Sequence, residues 1–179
     1  MDNDIRQGRA VVLLDAKGRI IEDIDTDQIF HNAFLHITEI AKMGKFALGN
    51  LEGWKDFAKE NREGDILIAG RNFGAGSSRQ QAVDCFIALK LGAILAPSFS
   101  AIYFRNAVNS GFPILKIYGL EALIAQRGIA TGDLIRLDLR SGRGENLSRK
   151  TALEIEPMSP VQHDIFAAGD LFKYGKALT

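Results

Sequence analysis

Three short apolar runs, separated by amphipathic segments, dominate the middle of the chain. They are DILIA at Asp65–Ala69, AILA at Ala93–Ala96 and ILKI at Ile114–Ile117. Between the first two runs, apolar residues recur at helical spacing until Gly92, and a second helical segment opens at Pro97-Ser98. Strand, helix, strand, helix, strand at this spacing predicts a parallel sheet with crossover helices.

The two ends of the chain predict hairpins rather than crossovers. Near the start, Ala10–Asp15 and Ile20–Ile24 flank a Lys17-Gly18 turn. Near the end, LIRLDLR alternates apolar and polar residues, and the turn SGRGEN leads to a second strand, TALEIE. Between the ends, helical spacing is found at Ile37–Met43 and Leu51–Asn61. We expect one α/β domain over residues 1–179, with flanking β-hairpins.

Composition and charge exclude several classes of function. Of 179 residues, 46% are apolar and 25% charged, and acidic and basic residues balance. A formal net charge of zero makes nucleic acid an unlikely partner and argues against anionic lipid. The start of the chain lacks the apolar core of a signal peptide, and no run reaches the roughly 18 apolar residues of a membrane span. The prediction is a cytoplasmic protein without a membrane partner.

The glycine-rich stretch from Gly70 to Phe86, GRNFGAGSSRQQAVDCF, is the strongest candidate for chemistry. It lacks the lysine of a phosphate-binding P-loop, the third glycine of a dinucleotide fingerprint and the pattern of a nucleophile elbow. What remains is Gly76-Ser77-Ser78-Arg79 between a strand and a predicted helix. Two hydroxyls, an arginine and a helix N-terminus suit a carboxylate. The alternative is a serine cap beside an exposed arginine.

Two other segments carry weaker signals. Asp23, Asp25 and Asp27 alternate after a predicted strand, but the glycine and glutamate of a calcium loop are missing, so a solvated turn is the alternative. The segment Ser98–Asn109 combines a possible cap, aromatics and Arg105. The only cysteine, Cys85, and the three histidines form no pattern typical of a metal site, so we predict no metal in this chain.

Taken together, these segments carry a resemblance. In this order the chain contains Asp25-Thr26-Asp27-Gln28-Ile29, Asn72 to Arg79, Ser98-Phe99, Arg105-Asn106-Ala107 and Asn109-x-Gly111. Each motif is weak alone, but the ordered set resembles the small subunits of 3-isopropylmalate dehydratase, which are homologous to the swivelling C-terminal domain of aconitase. The resemblance runs from about Gly8 to Gly175. It implies a swivelling β/β/α domain, in agreement with the predicted parallel core and hairpins.

The resemblance also implies an activity. The family is a group of hydro-lyases that move a hydroxyl between neighbouring carbons of a malate-type acid, here in leucine biosynthesis. By the resemblance, Ser77 is the catalytic base, and Ser78 and Arg79 bind a substrate carboxylate. Thr26 and Asp27 belong to the same site.

One loop of the family reads the variable arm of the substrate, and it corresponds to Phe34–Thr38 here. His36 lies in this loop, where its apolar neighbours Phe34, Leu35 and Ile37 predict a pocket for a short hydrophobic arm. Three positions differ from the family pattern, since Ala75, Gln80 and Ala101 stand where cysteine, glutamate and arginine are common.

The family's Lewis acid is a 4Fe-4S cluster, which one cysteine cannot hold. The resemblance therefore implies that this chain binds no cofactor and that a separate large catalytic subunit carries the cluster. The small-molecule substrate would be a di- or tricarboxylate. Two alternatives remain open at this stage. One is the small subunit of homoaconitase or of another aconitase-type dehydratase, such as one acting on dimethylmalate. The other is a non-catalytic module that binds an anion or RNA.

Overall fold

The structure is a computed structural model that describes residues 4–178, and its centre is a curled, mixed sheet of seven strands. The strands are β1 Ile5–Val12, β2 Ile66–Ile68, β3 Ala93–Ala96, β4 Ile114–Lys116, β5 Leu134–Asp138, β6 Arg143–Asn146 and β7 Thr151–Glu154. Their order is β4-β3-β2-β1-β5-β6-β7. Strands β1 to β4 pair in parallel, whereas β5, β6 and β7 continue the sheet from β1 in antiparallel fashion. The predicted parallel core is confirmed.

Eight helices surround the sheet in the described part of the chain. They are α1 Thr26–Ile29, α2 Ile40–Met43, α3 Phe57–Glu60, α4 Gln81–Ala88, α5 Ala101–Asn109, α6 Leu120–Ala125, α7 Pro160–Ala168 and α8 Leu171–Ala177. None of them is long and apolar enough to cross a bilayer.

The parallel strands are buried on both faces, which explains their nearly continuous apolar sequences. Successive residues point to opposite sides of the sheet, so each strand contributes to two cores. Leu67 and Ile94 face a core shared with α4 and α5, whereas Ile66 and Leu95 face a core shared with β5 and α6. This sandwiching fixes the carboxyl ends of β1, β2 and β3 along one edge, where ligand sites of α/β sheets are found.

Several predicted helices are shorter than their apolar spacing indicated. The segment 51–61 is helical only from Phe57, because Gly53 adopts a φ of +79° and interrupts the spacing. Helix α4 ends before Gly92, because Lys90 takes the left-handed conformation and the Leu91 N–H donates to Phe86 O. Helix α5 begins later than predicted, since its N-cap is Ser100 rather than Ser98.

The hairpin predictions need correction at both ends. The C-terminal unit is a three-stranded meander, because SGRGEN contains β6 rather than only a turn. The turn is confined to residues 139–142, where Asp138 accepts hydrogen bonds from two backbone N–H groups and Gly142 has a φ of +73°. At the N-terminal end, the turn at Lys17-Gly18 forms, but its second arm pairs only through the Leu14–Ile20 bridge.

Helices α6, α7 and α8 were not predicted, although α7 has clear end signals. Ser159 and Gln162 form a capping box, Pro160 occupies the first turn, and Gly169 ends the helix in the left-handed conformation. The short α8 begins directly afterwards at the N-cap Asp170.

Candidate functional site

The glycine-rich turn lies at the carboxyl end of β2 and is held against the segment that precedes α1. Gly74 and Ala75 both donate to Ile24 O, and Thr26 N donates to Ala75 O. Gly74 has a φ of +79°, and a Cβ there would lie 2.2 Å from Cγ of the buried Tyr103. Only glycine therefore allows the turn to pass this close to α5.

Residues 76–79 form an open nest of backbone donors. Within residues 4–178, no acceptor receives a hydrogen bond from the N–H groups of these four residues. Helix α4 begins only at Gln81, so the expected helix N-terminus does not lie directly at Ser77. The unpaired N–H groups of the turn provide the positive potential that we expected from the helix.

Ser77 and Ser78 are both exposed on this turn. The Ser78 hydroxyl accepts a hydrogen bond from Nδ2 of Asn106 at 3.4 Å, whereas no described residue bonds to the Ser77 hydroxyl. Neither serine caps α4, because the N-cap is Gln80 and no side chain caps the helix. The interpretation of these serines as helix caps is therefore wrong.

Thr26 is buried beneath the turn. Its Oγ1 donates to Ser77 O at 3.1 Å, and only 3% of the residue is exposed. The threonine thus fixes the backbone of Ser77, which the resemblance implies to be the base. Its own hydroxyl is turned towards the protein.

Arg79 and Asp27 form the main ion pair of the site. Arg79 NH1 donates to Asp27 Oδ1 at 2.7 Å and to Phe30 O at 3.0 Å. The Nε and NH2 groups of Arg79 have no partner among the described residues, so one edge of the guanidinium remains available for a carboxylate. The hydrogen bond from Arg79 lowers the pKa of Asp27 and keeps its carboxylate charged.

His36 is exposed, and its Nδ1 lies 3.0 Å from Ala33 O. The apolar surroundings predicted for it do not form. Phe34 stacks on Phe46 with a centroid distance of 4.0 Å, and Ile37 packs against the core. Leu35 is exposed like His36, and its carbonyl accepts a hydrogen bond from Gln81 on α4.

Several polar residues of the site were not assigned from the sequence. Asn50 donates to Asp27 Oδ2 at 3.1 Å, and Asn106 reaches Ser78. Gln80 donates to Asp84 and to Ser110, both at 2.8 Å. Burial raises the pKa of Asp84. A glutamate at position 80, as in the family pattern, would place a second carboxylate beside Asp84. For Asn106 a signal existed in the Arg105-Asn106-Ala107 motif, but its contact depends on the packing of α5.

The described residues do not fit an iron–sulfur cluster or another metal. Cys85 is buried, its thiol donates to Ala82 O, and burial raises its pKa. No group of three or more histidine, cysteine or acidic side chains within residues 4–178 could hold a metal ion. The alternating aspartates each have a different role, because Asp23 accepts from Asn72 and Asp25 caps α1.

Comparisons with known proteins agree with this geometry. Residues 26–119 match the aconitase C-terminal domain family. Three curated relatives, all named 3-isopropylmalate dehydratase small subunit, come from Caldicellulosiruptor saccharolyticus, Aquifex aeolicus and Pyrobaculum calidifontis. In that order, they are 36%, 37% and 35% identical to this chain. The matches cover 87%, 87% and 95% of this chain. They cover 86%, 89% and 96% of the relatives' own lengths.

A solved structure supports the same assignment. The crystal structure of 3-isopropylmalate dehydratase (LeuD) from Methanocaldococcus jannaschii superposes with a TM-score of 0.83 at 29% identity. The match covers 97% of this chain and 95% of that one. With a family match over the site and curated relatives above 30% identity across most of the sequence, the chain belongs to the 3-isopropylmalate dehydratase small-subunit family, within the aconitase C-terminal domain family.

Proposed function

We propose that this chain is the small subunit of a two-chain hydro-lyase that interconverts 2-isopropylmalate and 3-isopropylmalate in leucine biosynthesis. The observation that carries the proposal is the open turn at residues 76–79. It combines unpaired N–H groups, two exposed hydroxyls and the free edge of Arg79. The names of the curated relatives support the same reaction.

Arg79 is proposed to bind the substrate carboxylate through Nε and NH2. This binding would place the neighbouring C–H bond beside Ser77, which acts as the base. A serine hydroxyl is a weak base, so its alkoxide needs a field that stabilises negative charge. The N–H groups of residues 76–79 and the guanidinium would supply that field, and Arg79 would also stabilise the charge that develops on the carboxylate.

The proposed reaction conserves atoms in both directions. Ser77 Oγ, as the alkoxide, takes the proton from carbon, the electrons of the C–H bond form the C=C bond, and the hydroxyl leaves the adjacent carbon as water after taking a proton from an acid that the large subunit would supply. Water then adds to the carbon that lost its proton and gives one proton back to that acid, while Ser77 returns its proton to the carbon that lost the hydroxyl. The Lewis acid for the departing hydroxyl is expected from a 4Fe-4S cluster in a large subunit, since the described residues offer no ligand set for one. The cytoplasmic location stays a prediction.

The test is Ser77→Ala in the pair reconstituted with the 3-isopropylmalate dehydratase large subunit of the same organism. Loss of a general base should lower kcat by about 10²–10⁴-fold, with unchanged affinity between the subunits. The matched control is Ser100→Ala, because Ser100 makes no side-chain cap bond at α5. Near-normal turnover by the Ser77 variant would contradict the assignment of the base.

A substrate panel then tests the reaction itself. The wild-type pair should prefer isopropylmalate over homoaconitate and dimethylmalate in kcat/KM. A preference for either of the other acids would keep the mechanism but replace the substrate. Binding of malate-type acids without any turnover in the pair would instead favour an anion-binding module.

A further inference from the structure

Helix α5 presents one face to α4 and to the turn that precedes it. Residues three, four and seven positions after the first lie on the same side of a helix, and here they are Tyr103, Asn106, Ala107 and Ser110. Tyr103 and Ala107 are buried, and the Tyr103 hydroxyl donates to a backbone carbonyl of α4. Asn106 lies between these two buried residues, and its side chain hydrogen-bonds to Ser78 in the turn. The packing of α5 against α4 thus determines where this amide lies.

Gln80 joins the start of α4 to the end of α5. Its Nε2 donates to Asp84 Oδ1 in α4 and to Ser110 Oγ, both at 2.8 Å. The Ser110 hydroxyl donates in turn to Asn106 O at 3.0 Å. These bonds connect the backbone of Asn106 to the residue that directly follows the turn at residues 76–79. Asn106 therefore cannot move away from Ser78 unless this connection breaks.

The bond from Asn106 determines what the Ser78 hydroxyl can still do. Asn106 Nδ2 donates to Ser78 Oγ at 3.4 Å. A hydroxyl has one proton and two lone pairs, whereas an amide nitrogen only donates. The bond therefore occupies a lone pair of Ser78 and leaves its proton free, and no described residue accepts that proton. The proton is available to a carboxylate that binds to the neighbouring Arg79.

We propose that Asn106 is a positioning residue for substrate binding, because it holds the Ser78 hydroxyl with its proton directed to the substrate carboxylate. The inference rests on the proposed function, which places that carboxylate at Arg79. A hydroxyl that is already oriented loses less conformational freedom when the substrate binds, so the bound state is more favourable. The carboxylate is bound in the ground state and in the transition state alike, so loss of the orientation should change KM rather than kcat.

The experiment is steady-state kinetics of Asn106 variants in the pair reconstituted with the large subunit. Asn106→Asp keeps the size of the side chain but only accepts, so it should draw the Ser78 proton to itself and raise KM for isopropylmalate at least about tenfold. Asn106→Ala removes only the orienting bond and should raise KM about two- to tenfold. In both variants kcat should change far less than KM.

The matched control is Asn109→Asp. It adds the same charge to the same helix, at an exposed residue whose side chain bonds to no described residue. This control should leave KM and kcat as in the wild type. A rise of KM equal to that of Asn106→Asp would show that charge on α5, and not the orientation of Ser78, is responsible.

A double-mutant cycle decides whether Asn106 acts through Ser78. In a Ser78→Ala background, Asn106→Ala should raise KM no further, because no hydroxyl remains to be oriented. Additive increases of KM would overturn the proposal, and so would an unchanged KM in both Asn106 variants. A fall of kcat as large as the rise of KM would also overturn it, because the variants would then displace the turn that carries Ser77.

Failure of the proposed function gives a different result. If the wild-type pair binds 3-isopropylmalate without isomerising it, the Kd of this acid, measured by calorimetry, replaces KM in the same cycle. If the pair prefers another malate-type acid, the cycle is run with that acid. In either case additive effects of the two substitutions would overturn the role of Asn106, and non-additive effects would support it.

Discussion

Only one guanidinium nitrogen of Arg79 donates hydrogen bonds to other described residues, so the other two nitrogens are available to bind a carboxylate. Arg79 NH1 donates to both Asp27 Oδ1 and Phe30 O, which fixes the plane of the guanidinium. Asp27 is fixed in turn, because its carboxylate also accepts from Asn32 N and from Asn50. In this arrangement Asp27 acts as a positioning residue, and its assignment to direct substrate binding stays a prediction.

Replacing Asp27 tests this positioning role. Asp27→Asn keeps an acceptor but removes the charge, so Arg79 should become less well oriented and KM should rise about tenfold, with a smaller change in kcat. Because the folded-state pKa of Asp27 is lowered, its contribution to stability is complete above its unfolded pKa of about 3.9. That contribution disappears as the pH falls through the folded-state pKa. Urea unfolding at several pH values, with steady-state kinetics, measures both effects.

The matched control is Asp56→Asn. Asp56 also has a lowered pKa, because Lys59 donates a hydrogen bond to it, but the pair lies exposed at the start of α3. This variant should leave KM unchanged. An equal rise of KM in both variants would show that a general effect of charge, and not the orientation of Arg79, is responsible.

His36 provides the prediction on substrate choice. Its Nδ1 donates to Ala33 O, so Nε2 is the nitrogen left for a ligand. His36→Arg should shift kcat/KM towards acids whose variable arm carries a carboxylate. His36→Val should retain isopropylmalate-type acids, because it places no charge beside the variable arm. Both variants are measured on the same panel of acids with the same large subunit. Unchanged ratios of kcat/KM between the acids would show that His36 has no part in substrate choice.

At the scale of elements, the site depends on how the glycine-rich turn packs between the segment before α1 and α5. Gly74 donates to Ile24 O on one side and faces the ring of Tyr103 on the other. Tyr103 is itself fixed, because its hydroxyl donates to Ala82 O in the buried part of α4. The turn is thus held in place by the segment before α1, by α5 and, through Tyr103, by α4.

Gly74→Ala tests the close packing of the turn against Tyr103. An alanine at a φ of +79° costs about 1–2 kcal/mol, and displacing the Tyr103 ring costs about 1–3 kcal/mol more. The free energy of unfolding should therefore fall by roughly 2–5 kcal/mol in urea titrations. Gly18→Ala is the matched control, since Gly18 has a φ of +74° but a Cβ at that position would meet nothing within 4 Å. A similar loss in both variants would exclude the Tyr103 contact as the cause.

At the scale of the whole molecule, the proposed catalytic groups lie on an open surface. Ser77 and Ser78 are exposed, and two surface depressions of about 570 Å³ and 550 Å³ are lined by other residues, one beside Arg136 and Arg143 on the antiparallel strands and one beside Phe99 and Arg105 at the start of α5. An exposed turn cannot exclude water from a reacting substrate, so a second chain is needed to enclose it.

The isolated chain should therefore be colourless and inactive with isopropylmalate. Adding the large subunit should restore activity that saturates at one small subunit per large subunit. Absorbance spectra and initial rates of the separate and mixed chains provide the measurement. Turnover by the purified chain without any partner would contradict both this prediction and the proposed division of the site.

The sequence by itself determined the parallel core and the order of the motifs. Short apolar runs between amphipathic segments are typical of parallel strands that are buried on both faces, so the sequence predicted strands at Asp65–Ala69 and Ala93–Ala96. Glycines at a strand end similarly indicated a tight turn, whereas the ligand expected at this turn stays a prediction. These features are local, because each depends on residues within one segment. The missed helices α6, α7 and α8 show that local signals are weaker where the apolar spacing is incomplete.

Only the tertiary structure decided which groups of the proposed site are exposed and which are buried. The Arg79–Asp27 bond joins residues 52 positions apart, and the contact between Asn106 and Ser78 spans 28 positions. Such contacts depend on the order of strands in the sheet and on the packing of α5, which local spacing does not encode. The same holds for the start of α4, which lies after the nest: Ala75 pairs with the backbone of Ile24 and Thr26, and the Thr26 hydroxyl holds Ser77 O. Burial of Thr26 and exposure of His36 were decided in this way, since packing against distant segments determines which side chains water can reach.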